Sequence, residues 1–320
     1  MPITTAIIGL GIMGRRMLEH MDRHEGYAPV ALWDPDGEAC RAAQAISPGA
    51  SVMSSPQEAI AAADLVYLAC PPEPRKAYAR AAADAGKAVF LEKPLGVDVA
   101  ESEVLVAALT AAGVPAAVNF TQAAGAALSD VTSAARSGAM GDLIGVDMVI
   151  TYAAWPRAWQ QAADWLRFRD EGGMTREVIS HFLFFSERIF GPLSVVWAKP
   201  SYPENARLCE TQMLVRLENA EKKPVTIMAS VGGAQPDRQE VTIKGSLTSR
   251  RITDFSVDSA SDGGPFTELA ERPSDPRAVS LKAQLDELLL CIAGQPHRLA
   301  TLDEALRVQK LVETMLAGKS

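Results

Sequence analysis

Over its first 120 residues the chain alternates between short apolar runs and stretches of helical spacing. The runs fall at residues 4–8, 30–33, 64–69, 88–91 and 115–120. Those at 64–69 and 88–91 show no polar alternation, so they read as strands buried on both faces, as in a parallel sheet covered by helices. Helix signals stand between the runs. Ser55-Pro56-Gln57-Glu58 is a capping box with proline at the first helical position. A helix from about 74 to 85 stops at Gly86, and another, capped by Asp98 with Glu101, ends at Gly113. Beyond residue 122 the pattern changes. Helical signal runs to Arg136 and stops at Gly138, and strand-like stretches follow at 144–152, 194–198, 209–217, 225–231 and 240–244. Their alternation suits an antiparallel sheet with one face packed on helices. The pattern therefore predicts an α/β protein of two domains: 1–121, a doubly wound parallel sheet, and 122–320, a second α/β domain.

Composition narrows the function more than the fold. A length of 320 residues with 48% hydrophobic content supports two ordinary cores. No apolar run reaches the roughly 18 residues of a spanning helix, and the N-terminus has no basic segment leading into an apolar one. The expectation is a cytoplasmic protein with no membrane partner. A net charge of -8 and a pI near 5.2, with no basic stripe, argue against nucleic acid and for a small-molecule partner. Cys40, Cys70, Cys209 and Cys291 are far apart, without a CxxC pair or a nearby histidine. They read as buried thiols, and no metal site is expected.

The candidate chemistry starts at the first strand, which opens into Gly9-Leu10-Gly11-Ile12-Met13-Gly14 and a helix reaching about Met21. Gly9 permits the tight turn, Gly11 lets backbone approach a pyrophosphate, and Gly14 lets helix and strand pack closely. The N–H groups of the helix start face the phosphates. The second strand ends in Asp34, twenty residues after Gly14, where a carboxylate binds the adenosine ribose diol. Asp34 and Asp36, with no neighbouring cation, would repel a 2′-phosphate; like charges about 4 Å apart cost on the order of 4 kcal/mol at an effective dielectric of 20. The expected cofactor is NAD rather than NADP. Cys70-Pro71-Pro72 and Glu92-Lys93-Pro94-Leu95 leave the carboxyl edge of the same sheet, where open α/β sheets bind ligands, so Cys70, Pro71, Pro72, Glu92 and Lys93 are expected along the nicotinamide half. Lys93 also fits a plain surface lysine after a strand.

In the second domain, Gly172-Gly173 opens a helix that runs to Phe190 and ends at Gly191-Pro192. Val178, Phe182, Phe185 and Ile189 form its apolar stripe, while Glu177 and His181, four apart, share another face. A carboxylate on one imidazole nitrogen fixes the tautomer and leaves the other to exchange a proton with a hydroxyl. A histidine satisfied inside a core is the competing reading.

The order of these motifs resembles the Gfo/Idh/MocA oxidoreductases. The resemblance is carried by the glycine loop, Ala69-Cys70-Pro71-Pro72, Asp84-Ala85-Gly86-Lys87, Glu92-Lys93-Pro94-Leu95, the Gly-Gly to His181 segment and Thr301-Leu302-Asp303-Glu304-Ala305-Leu306. It implies a Rossmann domain, then a domain with a large, mostly antiparallel sheet, and hydride transfer at a secondary alcohol or carbonyl of a sugar, sugar acid or cyclitol. It also implies that Lys93 reaches the substrate oxygen across a cis Lys93-Pro94 bond, and that His181 is the acid/base. An aspartate is usual at Glu177, a histidine at Arg75, and an arginine-containing segment at Asn119-Phe120-Thr121-Gln122-Ala123. Lys93, His181 and Glu177 are the catalytic candidates, with substrate contacts at Lys93, Asn119, Trp165, Arg167 and His181. A homodimer or homotetramer through the C-terminal sheet is expected. Two alternatives remain: a β-hydroxyacid dehydrogenase-like enzyme, whose second domain is all helical, and a non-catalytic sensor of NAD and a sugar.

Overall fold

The computed structural model describes residues 1–161 and 163–320. The buried run at 88–91 becomes an inner strand of the first sheet, and the other apolar runs of the N-terminal third become strands of the same sheet. In chain order these are β1 (Ile3–Ile8), α1 (Ile12–Asp22), β2 (Tyr27–Trp33), α2 (Gly37–Ile46), β3 (Ser51–Val52) and α3 (Pro56–Ala61). They continue as β4 (Leu65–Leu68), α4 (Pro72–Asp84), β5 (Ala88–Glu92), α5 (Val99–Ala112) and β6 (Ala116–Asn119). The six strands pair in parallel in the order β3-β2-β1-β4-β5-β6. Chain order reverses at β1, the switch point of a doubly wound sheet.

Then follow α6 (Ala126–Arg136), β7 (Leu143–Tyr152), a π-helical turn (Thr175–Ile179) and α7 (Ser180–Phe190). The strands β8 (Leu193–Ser201), β9 (Gln212–Asn219), β10 (Pro224–Val231), β11 (Arg238–Gly245), β12 (Ser249–Thr253), β13 (Val257–Ser261) and β14 (Thr267–Glu268) come next. The chain closes with α8 (Pro276–Ile292) and α9 (Leu302–Ala317). Eight strands form one sheet in the order β14-β13-β12-β11-β7-β10-β9-β8, antiparallel except where β10 lies beside β7. This mostly antiparallel sheet removes the all-helical second domain of the β-hydroxyacid dehydrogenase alternative.

The chain forms two compact units, Met1–Ala123 with Arg277–Leu306, and Ala124–Pro276 with Arg307–Ser320. Dividing the sequence at 121/122 assigns α8 to the second domain, but its packing is with the first. Leu281, Leu285 and Leu288, spaced along one helix face, join Met17, Leu18, Met21 and Tyr27 in a single core cluster. Burying each leucine stabilises by about 2 kcal/mol. The Tyr27 hydroxyl donates to the Leu285 carbonyl at 2.6 Å, and Val118 N–H donates to the Ala300 carbonyl at 3.0 Å.

Burial in β9 alternates along the strand. Met213, Val215 and Leu217 are buried, whereas Leu214 is exposed on the opposite face, in register with exposed Met228 of β10. The strands β12 to β14 were not predicted, because they carry few apolar residues. A buried ion pair between Arg250 and Asp258 braces β12 against β13 instead. All four cysteines are free and buried. Among the described residues no helix is long and apolar enough to cross a membrane, and no group of three or more His, Cys, Asp or Glu could hold a metal ion.

Candidate active site

The three glycines of the first loop meet three different demands. Gly9 has a φ of +94°, and a Cβ there would lie 2.3 Å from the Cys70 nitrogen. A Cβ on Gly14 would lie 1.8 Å from the Gly9 carbonyl oxygen. Backbone blocks both positions. Gly11, the N-cap of α1, has nothing within 4 Å of that point, which leaves open space in front of the helix start. This is the room a pyrophosphate needs beside Ile12, Met13 and Gly14. Gly11→Ala is expected to fold with an unchanged melting temperature, yet to lose about 1–3 kcal/mol of NAD affinity by overpacking, measured by titration.

Asp34 follows β2 and is half-buried. Its carboxylate accepts from Leu10 N–H at 2.6 Å and from Asp36 N–H at 2.9 Å, and Gly9 N–H donates to the Trp33 carbonyl. The acid at the end of β2 thus orients the glycine loop. The loop and Asp34 fit a dinucleotide.

Two strands away, β5 is buried along its length and ends at Glu92. Lys93 follows, half-buried, at the carboxyl edge of the sheet, and the Lys93-Pro94 peptide is cis. Glu92 and Asn119, expected to touch cofactor and substrate, turn into the interior instead. Glu92 accepts from the Tyr67 hydroxyl and, at 2.6 Å, from Asn119 Nδ2. Asn119 Oδ1 accepts from Gln284 Nε2 at 2.9 Å, and the same amide nitrogen donates to the Phe120 carbonyl. Both strand ends are tied into one buried chain of polar groups that α8 completes.

Burial raises the Glu92 carboxyl above its usual 4.5, against the opposing pull of Tyr67, Asn119, Lys93 and Arg75. The folded state then holds this proton to higher pH than the unfolded chain does. The stability contributed by that extra proton is full below 4.5 and is lost as pH rises through the folded value. Glu92→Gln, whose carbonyl still accepts from Tyr67 and Asn119, is expected to flatten that decline, as read by urea unfolding at about pH 5 and about pH 8.

Arg75, in the second turn of α4, is 3% exposed. Its Nε and Nη2 donate to the Cys70 carbonyl at 3.1 and 2.6 Å. Its Nη1 donates to the Glu92 carbonyl at 2.5 Å and to the Pro94 carbonyl. Cys70 is buried, Pro71 is exposed, and buried Pro72 starts α4.

In the second unit, Gly172-Gly173 brings the chain against neighbours that leave no room for a side chain. A Cβ would meet the Leu166 carbonyl at 2.4 Å from Gly172, and the Glu210 carboxylate at 2.5 Å from Gly173, whose φ is +105°. Buried Glu210 accepts from Thr175 N–H at 2.6 Å, and burial pushes its carboxyl up. Arg176 grips Glu313 through Nε and Nη2, both at 2.7 Å, while Nη1 donates to the Arg169 and Gly172 carbonyls. These contacts fix the start of the helical stretch that carries Glu177 and His181.

That stretch differs from the single α-helix read from the sequence. Thr175–Ile179 winds as a π turn before α7 begins, so positions 177 and 181 do not keep the angular offset of an α-helix. The Glu177 carboxylate accepts from Gln160 Nε2 at 3.1 Å, and Arg157 Nη2 lies 3.7 Å from it. Arg157 also donates to Gln160 and lies 4.7 Å from the Trp159 ring. His181 is buried, edge-on to Phe255 with ring centroids 5.7 Å apart. Phe255 holds a φ of +67° at the β12–β13 turn, where an L side chain is strained, and stacks on Phe182. Trp165 is half-buried, and exposed Arg167 pairs with Asp164 at 2.7 Å.

The sequence reading did not single out Gln160, Glu210, Arg176 or Phe255, and it noted Arg75 only as a departure. Their partners are backbone groups or residues far along the chain, apart from Arg157, which donates to Gln160 three residues on. Only the Gly172-Gly173 pair hinted at a crowded approach.

Strand order 3-2-1-4-5-6, a glycine loop at the switch point and an acid closing the second strand define a dinucleotide-binding fold. Residues 3–120 match the model of the oxidoreductase family with an NAD-binding Rossmann fold, Gfo/Idh/MocA. Over 112 residues, 34% of this chain, it is 37% identical to inositol 2-dehydrogenase of Rhodococcus erythropolis. Over 142 residues, 42% of the chain, it is 32% identical to D-apiose dehydrogenase of Paraburkholderia graminis. The matched stretches span 32% and 37% of those two proteins. A scyllo-inositol dehydrogenase of Lactobacillus casei, solved with NAD(H) and scyllo-inositol, shares the fold at a TM-score of 0.81. That match covers 98% of this chain and 95% of the other at 16% identity.

Proposed function

We propose that the protein is an NAD-dependent dehydrogenase acting on the CH–OH group of a sugar, sugar acid or cyclitol. The observation that carries this reading lies in the first unit. Lys93 stands at the carboxyl end of β5, on the same sheet edge from which the glycine loop leaves β1. When bound, NAD supplies the hydride acceptor. The Lys93 ammonium stabilises the alkoxide that develops on the substrate oxygen. His181 takes the hydroxyl proton, being the side chain whose ordinary range lies nearest neutral pH. Glu177, held by Gln160 and Arg157, is proposed to orient the imidazole, and Trp165 and Arg167 to contact the substrate. The inositol and apiose dehydrogenases among the relatives support the substrate class.

A panel of cyclitols, pyranoses and sugar acids, assayed with NAD by absorbance of the reduced cofactor, tests the reading. No reduction across the panel, with NAD still bound, would leave the sensor reading in its place. We further propose that the outward face of the second sheet joins two copies of the chain, since Leu214 and Met228 are 43% and 47% exposed side by side. Met228→Asp is expected to lower the mass seen by sedimentation to that of one chain, 34.1 kDa. A wild-type protein already sedimenting as one chain ends this proposal.

A further inference from the structure

Arg75 is a buried cation whose hydrogen bonds all end on backbone carbonyls, and the positions of those carbonyls point to its role. One guanidinium nitrogen, Nη1, holds the carbonyls of Glu92 and Pro94, the residues on either side of Lys93. The opposite edge, Nε with Nη2, holds the Cys70 carbonyl in the loop that leaves β4. A guanidinium is planar, so these two edges cannot turn independently. The Cys70 loop and the Lys93 turn are therefore fixed to one rigid group. Apolar residues also secure α4, where Ala79, Ala82 and Ala83 are buried. The arginine adds a constraint on backbone direction at the one residue of the turn that carries an ammonium.

We propose that Arg75 is a positioning residue for Lys93: by pinning the carbonyls that flank it and the loop beside it, Arg75 sets the direction in which the ammonium leaves the sheet edge. The proposal rests on the reading of Lys93 as the group that meets the substrate oxygen. It assigns to Arg75 no contact with substrate or cofactor. Losing it loosens the 92–95 turn while sparing the glycine loop and Asp34, whose hydrogen bonds do not involve α4. Misplacing a reacting group by about an ångström costs on the order of a hundredfold in rate.

The test compares Arg75→Ala, Arg75→Lys and, as a control on the exposed face of the same helix, Arg80→Ala. Three quantities are read: NAD affinity by titration, kcat and KM on the best substrate of the panel, and amide hydrogen exchange across the first unit. The expected result for Arg75→Ala is a kcat about a hundredfold lower, with KM and NAD affinity within about threefold of wild type. Exchange should rise at the amides of Cys70, Glu92, Lys93, Leu95 and Gly96, not across the rest of the parallel sheet. Millimolar guanidinium ion should restore part of kcat in Arg75→Ala and leave wild type unchanged. Arg75→Lys, which keeps the charge but not the fork, should fall between.

Wild-type kcat in both variants overturns the proposal. So does a loss of protection spread evenly over the sheet, which would make Arg75 a general stabiliser. Should Arg75→Ala not fold, Arg75→Lys carries the same comparison. The exchange measurement needs no turnover. If wild type reduces no NAD on any substrate, the dehydrogenase reading falls, while local exchange at 92–96 still decides whether Arg75 holds the turn.

Discussion

Lys93→Ala is expected to lower kcat by about three orders of magnitude while the NAD dissociation constant moves by less than about threefold. Three orders correspond to about 4 kcal/mol of transition-state stabilisation. The separation of effects follows from where the residue stands. The proposed phosphate cradle consists of Gly9, Gly11 and Gly14, with Asp34 bonded to Leu10 N–H, and none of these contacts uses Lys93. A cation acting on charge that develops only during reaction lowers kcat and kcat/KM together, leaving KM in place. His181→Asn should lower turnover by about a hundredfold or more, the usual contribution of a general acid/base. Steady-state kinetics on the best substrate, beside NAD titration, read both variants. Full activity in either one removes that residue from the chemistry.

The second large effect concerns the choice between NAD and NADP. Wild type is expected to prefer NAD by at least about a hundredfold, because a 2′-phosphate would stand against the Asp34 carboxylate at an energy cost of several kcal/mol. Part of that cost is relieved by water, since Asp34 is only half-buried. Asp34→Asn is the informative substitution. Its carbonyl can keep the bond from Leu10 N–H that orients the glycine loop, whereas alanine would lose it. The asparagine variant should bring the two cofactors within about tenfold of each other, mostly by weakening NAD, whose ribose diol loses a charged acceptor. Equal binding of NADP and NAD by wild type would contradict the role given to Asp34.

The features legible in the sequence were those written locally. The uninterrupted apolar run before Glu92 announced an inner strand, and Asp98 with Gly113 bracketed α5 as cap and stop. The glycine loop could be read position by position, because Gly14 answers to the nearby carbonyl of Gly9 and Gly11 to open space, although the clash at Gly9 comes from distant Cys70. What escaped was written at a distance. Arg75 bonds carbonyls seventeen and nineteen residues on, at Glu92 and Pro94, and no hydrophobic pattern encodes an arginine aimed at backbone. Asn119 had the chemistry of a substrate contact, but its amide is engaged by Glu92 and by Gln284, 165 residues later. The π turn was hidden because an α-helical period fits its apolar stripe well enough. The strands β12 to β14 were hidden because an ion pair, Arg250 with Asp258, does there what apolar alternation does elsewhere.

The return of α8 to the first core bears on how the chain is made. A ribosome delivers residues 1–121 long before Leu281, Leu285 and Leu288 exist, so Met17, Leu18 and Tyr27 emerge with part of their apolar cover still untranslated. Glu92 and Asn119 likewise wait for Gln284, and β6 waits for the carbonyl of Ala300. The first unit is therefore sealed only after residues 281–300 have been made. A fragment cut after residue 121 would carry every nucleotide motif and expose a greasy flank to solvent, a poor starting point for transplanting the cofactor site into another protein.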